Sequence, residues 1–343
     1  MTWLRWLLLP LEGLYRFIVF LRNRSYDRDI DRSRAAPLPV VSVGNLTTGG
    51  TGKTPVTLYL AQQLQVHGWR TVVVSRGYGG EQAGPLKVEA EHSARDVGDE
   101  ALLLRHRLGP GRVYISTQRF AGIELAYQQD PQLDCVLLDD GFQHRAVQRD
   151  LDLLVIDGKN PFGNGHCLPV GLLREPTHHA RRAHLCVVTR SSEIPDRNFL
   201  KDWWSRYGSG GPQFFIDFAL HQFRGWNVPH ILQAPDLQNL SGFAWSALGH
   251  PEAFERDLQR AGQKIVGCKH FRDHAHLSPS DLIELTHQAI SLGASYVVCT
   301  EKDAVKLTEA HRAATDFPIY IAEQTLLGGE PVFEWIHHHL KQL

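Results

Sequence analysis

Val40-Val41-Ser42-Val43 runs directly into Gly44-Asn45-Leu46-Thr47-Thr48-Gly49-Gly50-Thr51-Gly52-Lys53-Thr54-Pro55. Four apolar or small residues read as a buried strand, and the glycine-rich turn after them leads into a helical pattern. Such a turn lets successive backbone N–H groups converge on an anion at a helix N-terminus. The pattern G-x-x-x-x-G-K-[ST] is met except at its first position, where Thr47 stands. Lys53 is then placed to reach β- and γ-phosphates, and the Thr54 hydroxyl to bind Mg²⁺. Pro55 is tolerated because first-turn N–H groups have no intrahelical partner. A chance glycine turn before Lys-Thr would lack this strand–loop–helix setting.

Working outward, apolar runs recur at 40–43, 71–75, 112–115, 135–138, 151–156 and 184–189, with helical patterns at 54–67, 99–107 and 120–129. Continuous apolar strands alternating with helices predict a mainly parallel sheet with helices on both faces, of the P-loop NTPase type. Asp139 and Asp140 end the apolar run at 135–138, where the carboxyl end of a strand faces ligand. An acid there suits the metal side of a nucleotide site. Residues 191–240 break the rhythm, and Gly208-Ser209-Gly210-Gly211-Pro212 is the expected hinge. Strands near 243–248, 265–268, 296–300 and 319–321 and helices over 251–261 and 278–292 predict a second, smaller α/β unit. The expected domains are 1–34, 35–210 and 211–343, with the return of the last segment to the first domain left open.

Composition narrows the function. The 343 residues carry 36 Lys+Arg against 37 Asp+Glu, which argues against nucleic acid as a partner. Five cysteines without a C-x-x-C pair predict neither a disulfide framework nor a zinc knuckle. Cys135, Cys186 and Cys299 fall in the apolar runs. The average hides an asymmetry: residues 1–34 hold seven Arg and four acids, a balance of +3. Arg5, Glu12 and Arg16 interrupt the apolar run there, and Pro10 and Gly13 weaken its middle. A span needs about 20 apolar residues, so the expectation is an amphipathic interfacial helix. Trp3, Trp6, Leu7, Tyr15, Phe17 and Phe20 would enter the headgroup boundary, and arginines would meet anionic lipid. The alternative is a helix packed on the protein's own core.

Thr300-Glu301-Lys302-Asp303 has the wrong spacing for a guanine-reading motif. A kinase needs an acceptor base and cations near the phosphates. Asp99 at a helix start, Asp273-His274 in a loop, and Arg76, Arg119 and Arg174 are the candidates. His274-x-His276 lacks the further ligands of a metal site. Three readings fit: a lipid-directed kinase, a P-loop ATPase switch driven by a protein partner, and a soluble sugar or nucleoside kinase.

Taken together, V-G-N-L-T-T-G-G-T-G-K-T-P at 43–55, S-R-G-Y-G at 75–79, V-G-D-E at 97–100, D-D-G-F-Q-H-R at 139–145, G-L-L-R-E-P at 171–176, D-H at 273–274 and T-E-K-D-A-V-K-L at 300–307 resemble the tetraacyldisaccharide 4′-kinase family. Thr in place of the first glycine is typical there. The resemblance implies an ATP- and Mg²⁺-dependent enzyme at the cytoplasmic face of the bacterial inner membrane. It implies phosphorylation of the 4′-hydroxyl of a tetraacylated glucosamine disaccharide 1-phosphate in lipid A synthesis, without an obligatory protein partner. By motif, Thr48, Gly49, Gly50, Thr51, Gly52, Lys53 and Thr54 match the ATP loop. Thr54, Asp139 and Asp140 match the metal side, Asp99 the general base, and His274 its assisting histidine. Arg76, Arg119 and Arg174 match positions at the phosphates or the cleft. This chain reads Phe271-Arg272-Asp273-His274-Ala275-His276 where the family often has F-P-D-H-H, so His276 is the alternative to His274. Gln118 stands before Arg119 where the family often has Asp.

Overall fold

The computed structural model describes residues 7–29, 32–249, 251–272 and 275–343. Eight strands form the first sheet: β1 (Val40–Gly44), β2 (Thr71–Ser75), β3 (Leu86–Lys87), β4 (Val113–Ile115), β5 (Cys135–Asp139), β6 (Leu151–Asp157), β7 (Leu185–Thr189) and β8 (Gln213–Phe215). Their order is β3-β4-β2-β5-β1-β6-β7-β8, and every pairing is parallel except that of the short edge strand β3. The next six are β9 (Asp217–Gly225), β10 (Ile231–Gln233), β11 (Ser241–Ser246), β12 (Lys264–His270), β13 (Tyr296–Thr300) and β14 (Ile319–Leu327). They form a second sheet ordered β10-β9-β14-β13-β11-β12, parallel from β14 to β12.

The α-helices are α1 (Leu9–Arg28), α2 (Lys53–Val66), α3 (Ala94–Val97), α4 (Asp99–Leu108), α5 (Arg119–Gln129), α6 (Arg197–Tyr207), α7 (Pro251–Arg260), α8 (Pro279–Ser291), α9 (Glu301–Ala304), α10 (Glu309–Arg312) and α11 (Glu330–Leu340). Alternate residues of the first sheet feed two cores, as the two-residue strand period demands. Val41, Val43, Leu137 and Leu153 pack under Leu60 and Leu64 of α2 and Leu104 of α4. Val40, Val136 and Leu138 pack on Ile123 of α5, and Leu154, Ile156 and Val188 on Leu200 and Trp203 of α6. Cys135, Cys186 and Cys299 are buried free thiols in β5, β7 and β13.

The tract 191–240 is more regular than its sequence pattern. It holds α6, β8, β9 and β10. Gly208–Pro212 joins α6 to β8 inside the first unit, so it is not the hinge expected there. The expected boundary after 210 also cuts off β8, which pairs with β7 in the first sheet. The chain leaves that sheet at Ile216, and β9 then pairs antiparallel with β14 from Asp217↔Leu327 to Gly225↔Tyr320. Two paired strands therefore form the connection. Beyond β14, Phe333, Ile336 and Leu340 of α11 enter the core that contains α2.

Helix α1 lies against the first unit through polar groups. Pro10 sits in its first turn, so the helix is not interrupted there. Glu12, Val19 and Asn23, spaced for one helical face, are buried. Glu12 accepts from the Cys167 amide at 2.9 Å and pairs with His166 Nδ1 at 2.8 Å. The Tyr15 hydroxyl donates to the Arg174 carbonyl at 2.8 Å, and Asn23 donates to Glu175 at 2.7 Å. The outward face is apolar: Leu11, Leu14, Phe17, Ile18 and Leu21 are all about half exposed or more. No helix among the described residues is long and apolar enough to cross a membrane.

Glu175 is fully buried and also accepts from Arg182 at 2.9 and 3.1 Å and from His179 Nδ1 at 2.8 Å. Burial raises its carboxyl, but His179, Arg182 and Asn23 outweigh that and hold it well below the usual carboxylate range. A depressed carboxylate stabilises the fold above its unfolded pKa of about 4.3 and loses that contribution as pH falls toward the folded value. Glu175→Gln is therefore expected to lower stability at pH 7 by about 3 kcal/mol or more. The gap from the parent chain should shrink steadily between about pH 5 and pH 3. Urea midpoints of the two proteins across that range test this. A gap that does not change with pH would remove the charge from the explanation.

Candidate active site

The order of the first sheet reverses at β1, which lies between β5 and β6. Ligands of such sheets bind beyond the carboxyl ends of the strands at that point. The glycine-rich turn leaves β1 there. Gly49 has φ +107° and Gly52 φ +86°, both in the left-handed region that favours glycine. A Cβ on Gly52 would also stand 2.8 Å from the Phe218 ring. The turn is pinned from outside by hydrogen bonds. The Thr48 amide donates to Leu172 O and the Arg174 amide to Leu46 O, both at 2.7 Å. Asn45 Nδ2 donates to Thr51 Oγ1 at 3.0 Å, and Thr189 Oγ1 donates to Thr51 O at 2.9 Å. Arg190 reaches the Gly50 carbonyl at 3.2 Å.

Helix α2 begins at Lys53, so its first amides face the turn. Thr54 Oγ1 donates to Asp139 Oδ2 at 3.1 Å, and Thr57 Oγ1 to Asp139 Oδ1 at 3.0 Å. Lys53 Nζ lies 3.6 Å from Asp140 Oδ1, and Arg174 donates to both oxygens of Asp140 at 2.8 and 3.0 Å. Lys53, Thr54, Asp139, Asp140 and Arg174, dispersed over 122 positions (174 − 53 + 1), thus share one cluster.

The two aspartates titrate differently. Burial, with Glu100 and Asp140 adding to it, pushes Asp139 up to about 6. Burial also raises Asp140, but Lys53 and Arg174 overcome it and hold that carboxyl low. Burial, then the Arg119 charge, pushes His144 down to about 4, which keeps its ring neutral near pH 7. Arg119 is 2% exposed and binds the carbonyls of Ser116 and Asp139. Burial brings its guanidinium down to about 10. Its guanidinium thus ties the Asp139 backbone to the turn at Ser116. Arg76 is exposed at the carboxyl end of β2, and its charge reaches Arg119 and His144.

Asp99 is buried at the first position of α4. Gly98, with φ +86°, allows the turn before it, where a Cβ would lie 2.3 Å from Tyr78 O. Lys306 Nζ lies 3.4 Å from Asp99 Oδ2 and comes from the second unit. Asp273 and His274 lie outside the described residues, while His276 is exposed.

Sequence reasoning missed Thr57, Lys306, Thr189 and Arg190. Thr57 carried a signal, because three residues after Thr54 puts both hydroxyls on one helix face. The others are brought in by tertiary packing.

Among the described residues, no group of three or more His, Cys, Asp or Glu is placed to hold a metal ion. The donors that do converge, the Thr54 hydroxyl and the Asp139 and Asp140 carboxylates, are all hard oxygens. Mg²⁺ takes one or two carboxylates and fills its other positions with water and substrate phosphate. The donor set fits that ion.

A model of the family described as tetraacyldisaccharide-1-P 4′-kinase matches residues 4–341. The tetraacyldisaccharide 4′-kinase of Geobacter sulfurreducens is 37% identical over 323 residues, covering 90% of this chain and 85% of the relative. That of Syntrophotalea carbinolica is 38% identical over 313 residues, covering 89% and 85%. The crystal structure of LpxK from Aquifex aeolicus in complex with ATP superposes with a TM-score of 0.78 at 28% identity, over 98% of this chain and 99% of that one. With residues 4–341 matched by the family model and relatives 37% and 38% identical over 90% and 89% of its length, the chain belongs to the tetraacyldisaccharide 4′-kinase family.

Proposed function

We propose that this chain moves the γ-phosphoryl group of ATP to the 4′-hydroxyl of a tetraacylated glucosamine disaccharide 1-phosphate. As a family member it is a kinase of lipid A biosynthesis. The observation that carries the residue roles is the single cluster of Lys53, Thr54, Asp139 and Asp140 at the switch point of the sheet, with Asp99 opening α4 beside it. Glu100, the next residue, is near enough for its charge to act on Asp139.

Phosphoryl transfer needs positioning and charge neutralisation more than covalent chemistry. The turn from Thr48 through Gly49, Gly50, Thr51 and Gly52 offers backbone N–H groups to the phosphates. Lys53 carries charge to the β/γ oxygens. Its present neighbour Asp140 keeps the ammonium directed into the site. Thr54, Asp139 and Asp140 would hold Mg²⁺, which when bound neutralises phosphate oxygens. Thr57 locks Asp139 in orientation, and Arg119 holds its backbone. Arg174 and Arg76 supply cations at the rim of the cleft. Asp99 accepts the proton of the sugar hydroxyl, and His274 or His276 assists it.

The apolar outward face of α1 suits an acceptor that is a lipid. Its polar face is already used by the protein, so the remaining face is left for the interface of an anionic bilayer. In this reading the enzyme works at the cytoplasmic surface of the inner membrane.

Lys53→Ala is expected to lower phosphoryl transfer about 10³-fold with an unchanged melting temperature. Near-parental turnover would overturn the phosphate assignment. For Asp99→Asn, kcat should fall far more than KM for ATP rises, read from initial rates with γ-labelled ATP and a lipid disaccharide. An effect confined to KM would make Asp99 a binding group. Leu14→Glu/Phe17→Glu changes only the outward face of α1. It should weaken binding to vesicles of phosphatidylcholine and phosphatidylglycerol at least about tenfold, and unchanged sedimentation with vesicles would refute the interfacial helix.

A further inference from the structure

Thr300-Glu301-Lys302-Asp303-Ala304-Val305-Lys306-Leu307 reads no guanine, and the phosphate site makes no use of it. The fold sets this segment against both ends of α4. Arg107, near the end of that helix, pairs with Glu301. Lys306 reaches Asp99 at its start. Lys306 is 8% exposed and Asp99 5%, and Asp303 is fully buried.

Among the described residues, the Lys306 ammonium has three oxygen neighbours, matching its three N–H donors. They are Asp99 Oδ2 at 3.4 Å, Asp303 Oδ1 at 3.3 Å and the Ala275 carbonyl at 3.3 Å. Asp303 is itself immobilised, because its Oδ2 accepts from Thr300 Oγ1 at 2.7 Å and from the Ala247 amide at 3.2 Å. The second unit therefore holds the cation rigidly and presents it to a carboxylate of the first. The Ala275 carbonyl belongs to the loop that carries both candidate histidines.

Burying two carboxylates around one ammonium is a poor way to join two units, since apolar contacts would do so at less cost. The arrangement does, however, fix the orientation of one carboxylate. Resting on the reading of Asp99 as the proton acceptor, we propose that Lys306 is the positioning residue for Asp99. It orients that carboxylate toward the acceptor hydroxyl and ties the histidine-bearing loop to it. The second unit thereby takes part in the chemistry through a fixed ammonium, and a misplacement of Asp99 on the order of 1 Å is what its loss produces.

A double-mutant cycle tests this. Lys306→Met and Arg107→Met are each made in the parental and Asp99→Asn backgrounds. ATP binding by equilibrium dialysis reports folding, and kcat and KM come from initial rates. Lys306→Met should lower kcat about 10²-fold, the cost of a displaced catalytic group, with KM for ATP within about twofold. In the Asp99→Asn background it should lower kcat by less than about threefold further, because its effect runs through Asp99. Arg107→Met breaks the other ion pair of the same contact and should act equally in both backgrounds. If Lys306→Met loses ATP binding, Lys306→Arg takes its place, since a planar fork cannot reproduce the three-donor geometry. An equal loss in both backgrounds, or a change in KM alone, would overturn the role of Lys306. An Asp99→Asn protein with full kcat would instead overturn the reading of Asp99 on which it rests.

Discussion

Asp139 carries two hydroxyl hydrogen bonds, from Thr54 and Thr57, and the rest of the site is organised around it. They tie the end of β5 to the first turn of α2, so the two elements that carry the cluster cannot drift apart. The carboxylate is wholly buried, and its raised pKa marks the cost of holding charge there among Glu100 and Asp140. That cost is reduced when a cation shares the cavity. Asp140, one residue on, is kept ionised by Lys53 and Arg174. Adjacent acids thus differ because their neighbours differ.

The turn before α2 depends on the same economy of space. Gly52 adopts a left-handed conformation, and the Phe218 ring from β9 fills the place where a side chain would stand. Phe218 begins the paired connection to the second unit, so the glycine-rich turn is in direct contact with the strand that links the halves. The return of α11 to the face of α2 adds a further restraint. Together with Lys306 at Asp99 and Glu301 at Arg107, these contacts make the second unit a structural part of the site.

Helix α1 inverts the usual distribution of polarity. Glu12 and Asn23 face the protein and are satisfied there, while leucines and phenylalanines face outward. A helix that only packed on its own core would do the reverse. The docking also positions the site: Tyr15 holds the Arg174 carbonyl, Asn23 holds Glu175, and Arg174 meets Asp140.

Much of this was legible in the chain. The strand at 40–43, the glycine turn and the acids at 139–140 are local patterns, each set by contiguous backbone and by the two- and 3.6-residue periods. The alternation of strands and helices and the place of Asp99 at a helix start follow in the same way. Strand β9 was hidden because a bulge at His221, opposite Glu323 and Gln324, breaks its alternation. The expected hinge at 208–212 was misplaced because glycine and proline mark a turn without saying which elements it joins. The pairing of Lys306 with Asp99 spans 207 positions (306 − 99), and no periodicity carries information over that distance. The sequence by itself determined the elements and the chemistry available at their ends, because these depend on short-range backbone geometry. Only the tertiary structure decided which distant charges meet, because that depends on how two sheets and the helices between them pack.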